Sequence, residues 1–334
     1  LETRAGITNS FQKIPLIPWV EKPTSYIGNG CFKFLNRECD LGFPIHWEAA
    51  GLSRLWRYQL HYFDYLHQPE MSEQIGLDLM KDWVRRHPPR KGGIGWEPYP
   101  TSLRLVNWIK FLTRVPQIPH EILQSLRLQA VNLGRQLEYH LLGNHLLANG
   151  KGLWWAGLFL KEPGWVRKGR AILFSELDEQ FLPDGGHFEL SPMYHALALE
   201  DLLDLVNISQ SSGKDGVDLE ALRQKAAEGL AWLVGMNDSH GGIPLLNDSA
   251  NGGCPSCKKL EDYATRLGVS LGRNDRAASR CGPWWGENFS GYWVFRHKQF
   301  RLLFDTAPLG PDYLPGHAHC DMLSLLLNFA KDPL

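Results

Sequence analysis

Between residues 56 and 271, apolar side chains recur every three or four positions in blocks separated by glycine- and proline-rich breaks, the spacing of successive amphipathic helices. The blocks predict helices over residues 55–65, 75–86, 102–113, 122–141, 145–159, 165–180, 194–208 and 219–234. The breaks at Pro88-Pro89, 116–119, 183–186 and Gly241-Gly242 are short enough to fold each helix back on the next, which predicts antiparallel hairpins in an α/α array. The rhythm changes after Gly282. Gly291-Tyr292-Trp293-Val294-Phe295-Arg296 and Gln299-Phe300-Arg301-Leu302-Leu303-Phe304-Asp305 flank the polar break His297-Lys298 and read as a β-hairpin. Residues 323–329 read as another strand, buried by its composition. A sheet of so few strands is marginal alone, so it is expected either to pack on the helices or to open a β domain that has been cut off, and the second is favoured. The expected division is residues 1–282, helical, and 283–334, the start of the strand-rich domain.

Composition narrows the partners. With 334 residues, 43% of them hydrophobic, the chain can bury a sizeable core. Lys+Arg 35 against Asp+Glu 36 gives a net charge of -1, so no global field favours nucleic acid or an anionic membrane, although a local basic cleft could take an acidic ligand. No run approaches the about 18 apolar residues of a membrane span. The chain starts at Leu1-Glu2-Thr3-Arg4, without Met, and stops just after an apolar run, so both ends are expected to be processing boundaries. The 13 Trp suit sugar stacking, but serve equally as core. Six Cys are too few for a disulfide framework, and only Cys254-Pro255-Ser256-Cys257 is closely spaced. Neither His240 nor Cys281 completes a zinc-ligand pair with it, so free thiols or one small disulfide are expected.

Three separated segments carry the candidate chemistry and read as one site: Asn144-His145, the stretch Asp184-Gly185-Gly186-His187-Phe188-Glu189-Leu190-Ser191-Pro192-Met193-Tyr194-His195, and Gly316-His317-Ala318-His319-Cys320-Asp321. Asn144 is either an ordinary helix N-cap or a donor to a bound carboxylate, with His145 and the helix dipole beside it; Asn149 and Lys151 either support that role or are solvated turn residues. Tyr194 is either a packing residue or a phenol whose pKa its polar neighbours lower for proton exchange. Glu189 is an alternative acid or an ion-pair partner. If residues 317–321 are extended, His317, His319 and Asp321 share a face, so that the carboxylate orients one imidazole; a metal site of two His and one Asp is also chemically open.

On these segments, together with Leu55-Trp56-Arg57-Tyr58-Gln59-Leu60-His61-Tyr62-Phe63-Asp64-Tyr65, Trp96-Glu97-Pro98-Tyr99-Pro100-Thr101-Ser102-Leu103-Arg104 and Gly310-Pro311-Asp312-Tyr313-Leu314-Pro315 before the two imidazoles, the chain resembles the heparinase II/III-like polysaccharide lyases, particularly those encoded with bacterial exopolysaccharide or lipopolysaccharide genes. Cys320 departs from the small residue common there. The resemblance implies a mainly α fold, an incomplete (α/α) toroid of helical hairpins followed by the first strands of an antiparallel β-sandwich. It implies β-elimination on a uronic-acid polysaccharide, without cofactor or metal, in a periplasmic or secreted protein. Asn144 with His145 would neutralise the uronate carboxylate, Tyr194 would handle a proton and His317 would be its partner. Arg57, Trp96, Arg104 and Asn107 are candidates for the cleft wall, with Glu189, His195 and His319 as further substrate-binding candidates.

Two other readings fit parts of the pattern. A glycoside hydrolase would need paired carboxylates, which Glu97, Glu189, Asp184 and Asp248 could supply. A glycan-binding component of polysaccharide assembly would keep the site without turnover.

Overall fold

The computed structural model describes residues 11–89, 93–213, 217–237, 242–270, 285–297 and 300–329. The chain divides into two compact units, residues 1–16 with 21–174, and residues 17–20 with 175–334. The helical boundary expected at 282 lies outside the described residues.

The first unit opens with a feature the periodicity did not announce, a three-stranded antiparallel sheet of β1 (Tyr26–Gly28), β2 (Cys31–Phe34) and β3 (Arg37–Asp40) in that order. Asn29-Gly30 and Leu35-Asn36 turn the two hairpins, each with both residues at positive φ, the two-residue turn that matches strand twist. Phe32 and Phe34 point inward and meet Tyr65, Trp47 and Trp56. Five helices follow: α1 (Arg54–Tyr62), α2 (Glu73–Arg86), α3 (Pro98–Leu112), α4 (His120–Arg135) and α5 (Gly143–Phe159). Ser53 and Ser72 cap α1 and α2 by accepting the amides of Trp56 and Ile75. The first helix stops earlier than the expected residue 65, because Phe63 is left-handed at φ 63. α4 ends six residues short of 141, where Glu138 is held by a side chain of α5. α3 and α5 pack closely, as a Cβ on Gly152 would meet the Ser102 Cα at 3.0 Å.

Three cleft-wall expectations fail in this unit because those side chains hold the helices together. Arg104 is completely buried, its Nε donating to Gln129 Oε1 at 2.9 Å, its Nη atoms to His61 O and the Thr101 hydroxyl, and its guanidinium lying 4.2 Å from the Trp83 ring. Burial lowers its pKa. Trp96 is buried and donates to His87 O, and Asn107 donates to Tyr62 O and Asp64 Oδ1 at the end of α1. All three are conformational struts.

Helix α6 (Pro163–Gln180) contains the boundary between the units. The second unit contains α7 (Pro192–Ser211), α8 (Val217–Met236), α9 (Cys257–Arg266) and an antiparallel sheet β4 (Trp285–Phe289), β5 (Tyr292–Arg296), β6 (Phe300–Asp305), β7 (Leu325–Phe329) in sequential order. The expected hairpin is present, paired from Tyr292↔Asp305 to Arg296↔Arg301. Tyr292, Val294 and Leu303 pack on Trp232, Met236, Leu190 and Leu246. β7 departs from its expected burial: Leu325, Leu327 and Phe329 are 60%, 52% and 65% exposed while Leu326 packs on this core. The uncovered face, among the described residues, is the wholly apolar one, while Leu326 shares the covered face with Asn328. Among these residues, too, no helix is long and apolar enough to cross a membrane.

The buried guanidinium generates a stability prediction. Arg104→Met keeps most of the volume but leaves Gln129, Thr101 and the His61 carbonyl without their donor, and should cost about 3 kcal/mol, read as a lower urea midpoint; unchanged stability with weakened glycan binding would return Arg104 to the cleft wall.

Candidate active site

In the first unit the candidate groups gather at the head of α5. Leu142, at φ 58, is its N-cap and offers no side-chain cap, so Asn144 sits inside the first turn and the N-cap reading is set aside. The first helical bond runs from the Leu146 amide to Leu142 O, which leaves the amides of residues 143–145 in the donor-rich opening turn. Asn144 is half-buried, and among the described residues its side-chain amide makes no hydrogen bond. The His145 imidazole lies 4.4 Å from the Tyr99 ring, and its Nδ1 is 3.2 Å from Glu138 Oε1. Asn149 and Lys151 are buried within α5 rather than in a solvated turn. Arg57 is partly exposed and faces Glu48 at 3.4 Å. The head of α5 can therefore offer an anion one amide, one imidazole and backbone donors.

The second unit brings Tyr194 and His317 together, with ring centroids 3.7 Å apart. Tyr194 is fixed at the head of α7, where Ser191 is the N-cap and accepts its amide. His317 comes from a turn, closed by the Ala318 amide on Pro315 O, and not from the extended segment expected. The orienting carboxylate is also a different one: Asp248 Oδ2 lies 2.8 Å from His317 Nδ1, whereas Asp321 accepts the Asn247 amide. A carboxylate only accepts, so Nδ1 carries the proton and Nε2 is the free nitrogen. It looks toward Glu189 Oε2 at 4.0 Å. His319 is exposed, and its backbone amide donates to Asn247 Oδ1.

Tyr194 titrates in the opposite direction from the expectation. Burial, then Asp248 and Glu189, push its pKa up to about 12, since an anionic phenolate is disfavoured both by desolvation and by neighbouring negative charge. The phenol rests protonated. His195, expected at the substrate, is completely buried: its Nε2 donates to Gly229 O at 2.9 Å, its Nδ1 accepts the His187 amide, and its ring lies 4.3 Å from Trp232. Glu189 is buried as well, its carboxylate 3.8 Å from His187 Nδ1 and 4.0 Å from His317 Nε2.

The carboxylates of the hydrolase reading are largely occupied. Asp184 accepts from the Ser290 amide and hydroxyl and from the Gly186 amide, and Glu97 takes Arg54 and the Tyr58 hydroxyl. Among the described residues no group of three His, Cys, Asp or Glu side chains is arranged to hold a metal ion. Cys257 is a buried free thiol; His240 and Cys281 lie outside the described residues. Pattern reading missed Glu138, Tyr99 and Asn247, and gave Asp248 a different role. Periodicity carries a helix on to residue 141 and so hides Glu138 inside it, and Asn247 lies between helices; the seven-residue step from Glu138 to His145 is visible only after α4 is known to end at Arg135 and α5 to start at Gly143.

His187 and His195 make this unit acid-sensitive. Burial first, and then His195 and His317, lower His187 to about 3, and burial lowers His195 to about 4, both from 6.5. As pH falls below 6.5 the unfolded chain takes up protons that the folded one refuses, so this stability is lost down to about pH 4 for His195 and about pH 3 for His187. The urea midpoint should drop between about pH 7 and about pH 4, with a shallower slope in His187→Gln; a flat midpoint would mean that these imidazoles are not held neutral.

Comparison with known proteins places this architecture. A heparin-sulfate lyase of Bacteroides thetaiotaomicron is 25% identical over 196 residues, which span 53% of this chain and 28% of the lyase. The heparin-sulfate lyase of Pedobacter heparinus is 29% identical over 183 residues, 50% of this chain and 28% of that protein. The crystal structure of the Pedobacter heparinus heparan sulfate lyase superimposes with a TM-score of 0.58 at 19% identity, covering 90% of this chain and 52% of that one. A heparinase III crystal structure gives 0.60 at 19% identity, over 88% and 51%. The fold is therefore shared across nearly the whole chain, which spans about half the length of the solved relatives. Two family models match in order, the heparinase II/III N-terminus over residues 29–265 and the heparinase II/III-like C-terminal domain over residues 285–334, and on that coverage the chain belongs to the heparinase II/III family.

Proposed function

We propose that the protein is a polysaccharide lyase that cleaves a uronic-acid-containing glycan by β-elimination. The observation that carries this reading is the contact of the Tyr194 phenol with the His317 imidazole, 3.7 Å between ring centres, with His317 Nδ1 tied to Asp248. Elimination needs one group to remove the proton on carbon 5 and one to protonate the departing glycosidic oxygen. Nε2 of His317 has its lone pair available, and Tyr194 holds its proton. His317 is accordingly the base and Tyr194 the acid.

The developing enediolate requires donors at the uronate carboxylate, each worth about 3 kcal/mol. On their chemistry and the family resemblance, Asn144 and His145 take that task, and Arg57 remains the candidate for holding an acidic sugar. The names of the relatives put a sulfated glycosaminoglycan first among substrates. Such a polymer lies outside the cytoplasm, which makes the protein periplasmic or secreted.

The test incubates the full-length protein with heparan sulfate, hyaluronan, alginate and polygalacturonate and follows the ultraviolet absorbance of the unsaturated uronate. Absorbance should grow on at least one polymer, and Tyr194→Phe and His317→Ala should each slow it by about 10²–10⁴-fold. New reducing ends without absorbance would make the protein a hydrolase. Tight binding without any product would make it a glycan-binding component.

A further inference from the structure

We propose that Glu138 is the positioning residue of His145, fixing the imidazole as its Nδ1–H tautomer and reserving Nε2 for an incoming carboxylate. The inference rests on the elimination reading for the ligand, while the tautomer stands on the geometry alone.

Every polar atom behind His145 has its direction fixed. The Ser102 hydroxyl donates to Pro98 O at 2.8 Å, so its oxygen is left to accept. It accepts from Asn149 Nδ2 at 3.1 Å, and the same amide nitrogen donates to Glu138 Oε2 at 2.9 Å. Asn149 Oδ1 then accepts the Glu138 backbone amide at 2.9 Å. The Glu138 side chain is 8% exposed and clamped from both ends by an asparagine that is itself 0% exposed. Its remaining oxygen, Oε1, faces His145 Nδ1 at 3.2 Å. A carboxylate oxygen held there can only accept, so the proton belongs to Nδ1.

The ring cannot easily rotate away, since the Tyr99 ring lies 4.4 Å from it at an interplanar angle of 34°. Nε2 is the nitrogen left for a ligand. A uronate carboxylate meeting Nε2 requires a proton there as well, which places an imidazolium between that carboxylate and Glu138. Two carboxylates then share one cation, one from the protein and one from the sugar. This gives Asn144 a charged companion for neutralising the substrate.

Substitution of one atom inverts the arrangement. In Glu138→Gln the side-chain oxygen must go to Asn149 Nδ2, which turns the amide NH₂ toward His145 Nδ1 and forces that nitrogen to accept. Nitrogen-15 NMR of histidine-labelled full-length protein, with His145 assigned from its loss in His145→Asn, reads the tautomer of the neutral ring without substrate. The expected result is Nδ1–H in the native protein and in Glu138→Asp, and Nε2–H in Glu138→Gln. With heparan sulfate as the probe, Glu138→Gln should lower kcat/KM by about 10-fold or more, as a lost tautomer-setting carboxylate does elsewhere, and Glu138→Asp by less. A native Nε2–H ring, or the same tautomer in the native and Gln proteins, overturns the proposal. Should Glu138→Gln fail to fold, the tautomer in the native protein and in Glu138→Asp decides. If no uronan yields product, the elimination reading falls while the NMR result still decides the role of Glu138.

Discussion

The tripeptide Asn247-Asp248-Ser249 is the constraint on which the second unit depends. Asn247, at φ 51, donates through Nδ2 to Leu190 O and the Tyr292 hydroxyl and accepts the His319 amide on Oδ1. Asp248 holds the His317 ring with its carboxylate and donates its backbone amide to His317 O. The Ser249 hydroxyl meets the Ser191 hydroxyl and accepts the Met193 amide at the head of α7. Three consecutive residues thus tie a helix start, a sheet tyrosine and a turn together. Buried polar groups of this kind are costly unless every partner is supplied, so the network specifies one geometry, and the Tyr194–His317 contact is its consequence.

Protonation in this unit follows from burial. His187 and His195 are held neutral by desolvation, and their hydrogen bonds to Gln180 and Gly229 use them as scaffold. Tyr194 is held neutral for the mirror reason, as desolvation and two carboxylates oppose its anion. Neighbouring residues with similar sequence context therefore divide into structural and chemically available groups. What separates them is burial: His187 and His195 are fully enclosed, whereas Tyr194 and His317 are only partly covered.

The first unit shows the same division among cations and aromatics. Arg104 and Trp96 carry residue types suited to an acidic sugar, yet their donors are consumed internally by Gln129, Thr101, His61 and His87. His145 keeps a free nitrogen because Glu138 and Tyr99 hold the ring from one side.

Local pattern determined the helices, because a 3.6-residue repeat and its glycine and proline breaks are properties of adjacent residues, and it determined the β5–β6 hairpin for the same reason. It also determined that Asn144, His145, Tyr194 and His317 are unusual company for a core, and carried the family resemblance. Even so, it passed over the Asn29-Gly30 hairpin, whose short strands give too few alternating positions to register, and it misjudged β7, since the sequence shows a strongly apolar strand but not that the face of Leu325, Leu327 and Phe329 lacks cover. Tertiary structure alone decided which polar groups are available for chemistry. Arg104 is buried by partners 3 to 43 residues away, and His317 receives its carboxylate from 69 residues upstream rather than from Asp321 close by. Hydrogen bonding and desolvation depend on what surrounds a side chain in space, and no spacing along the chain encodes that directly.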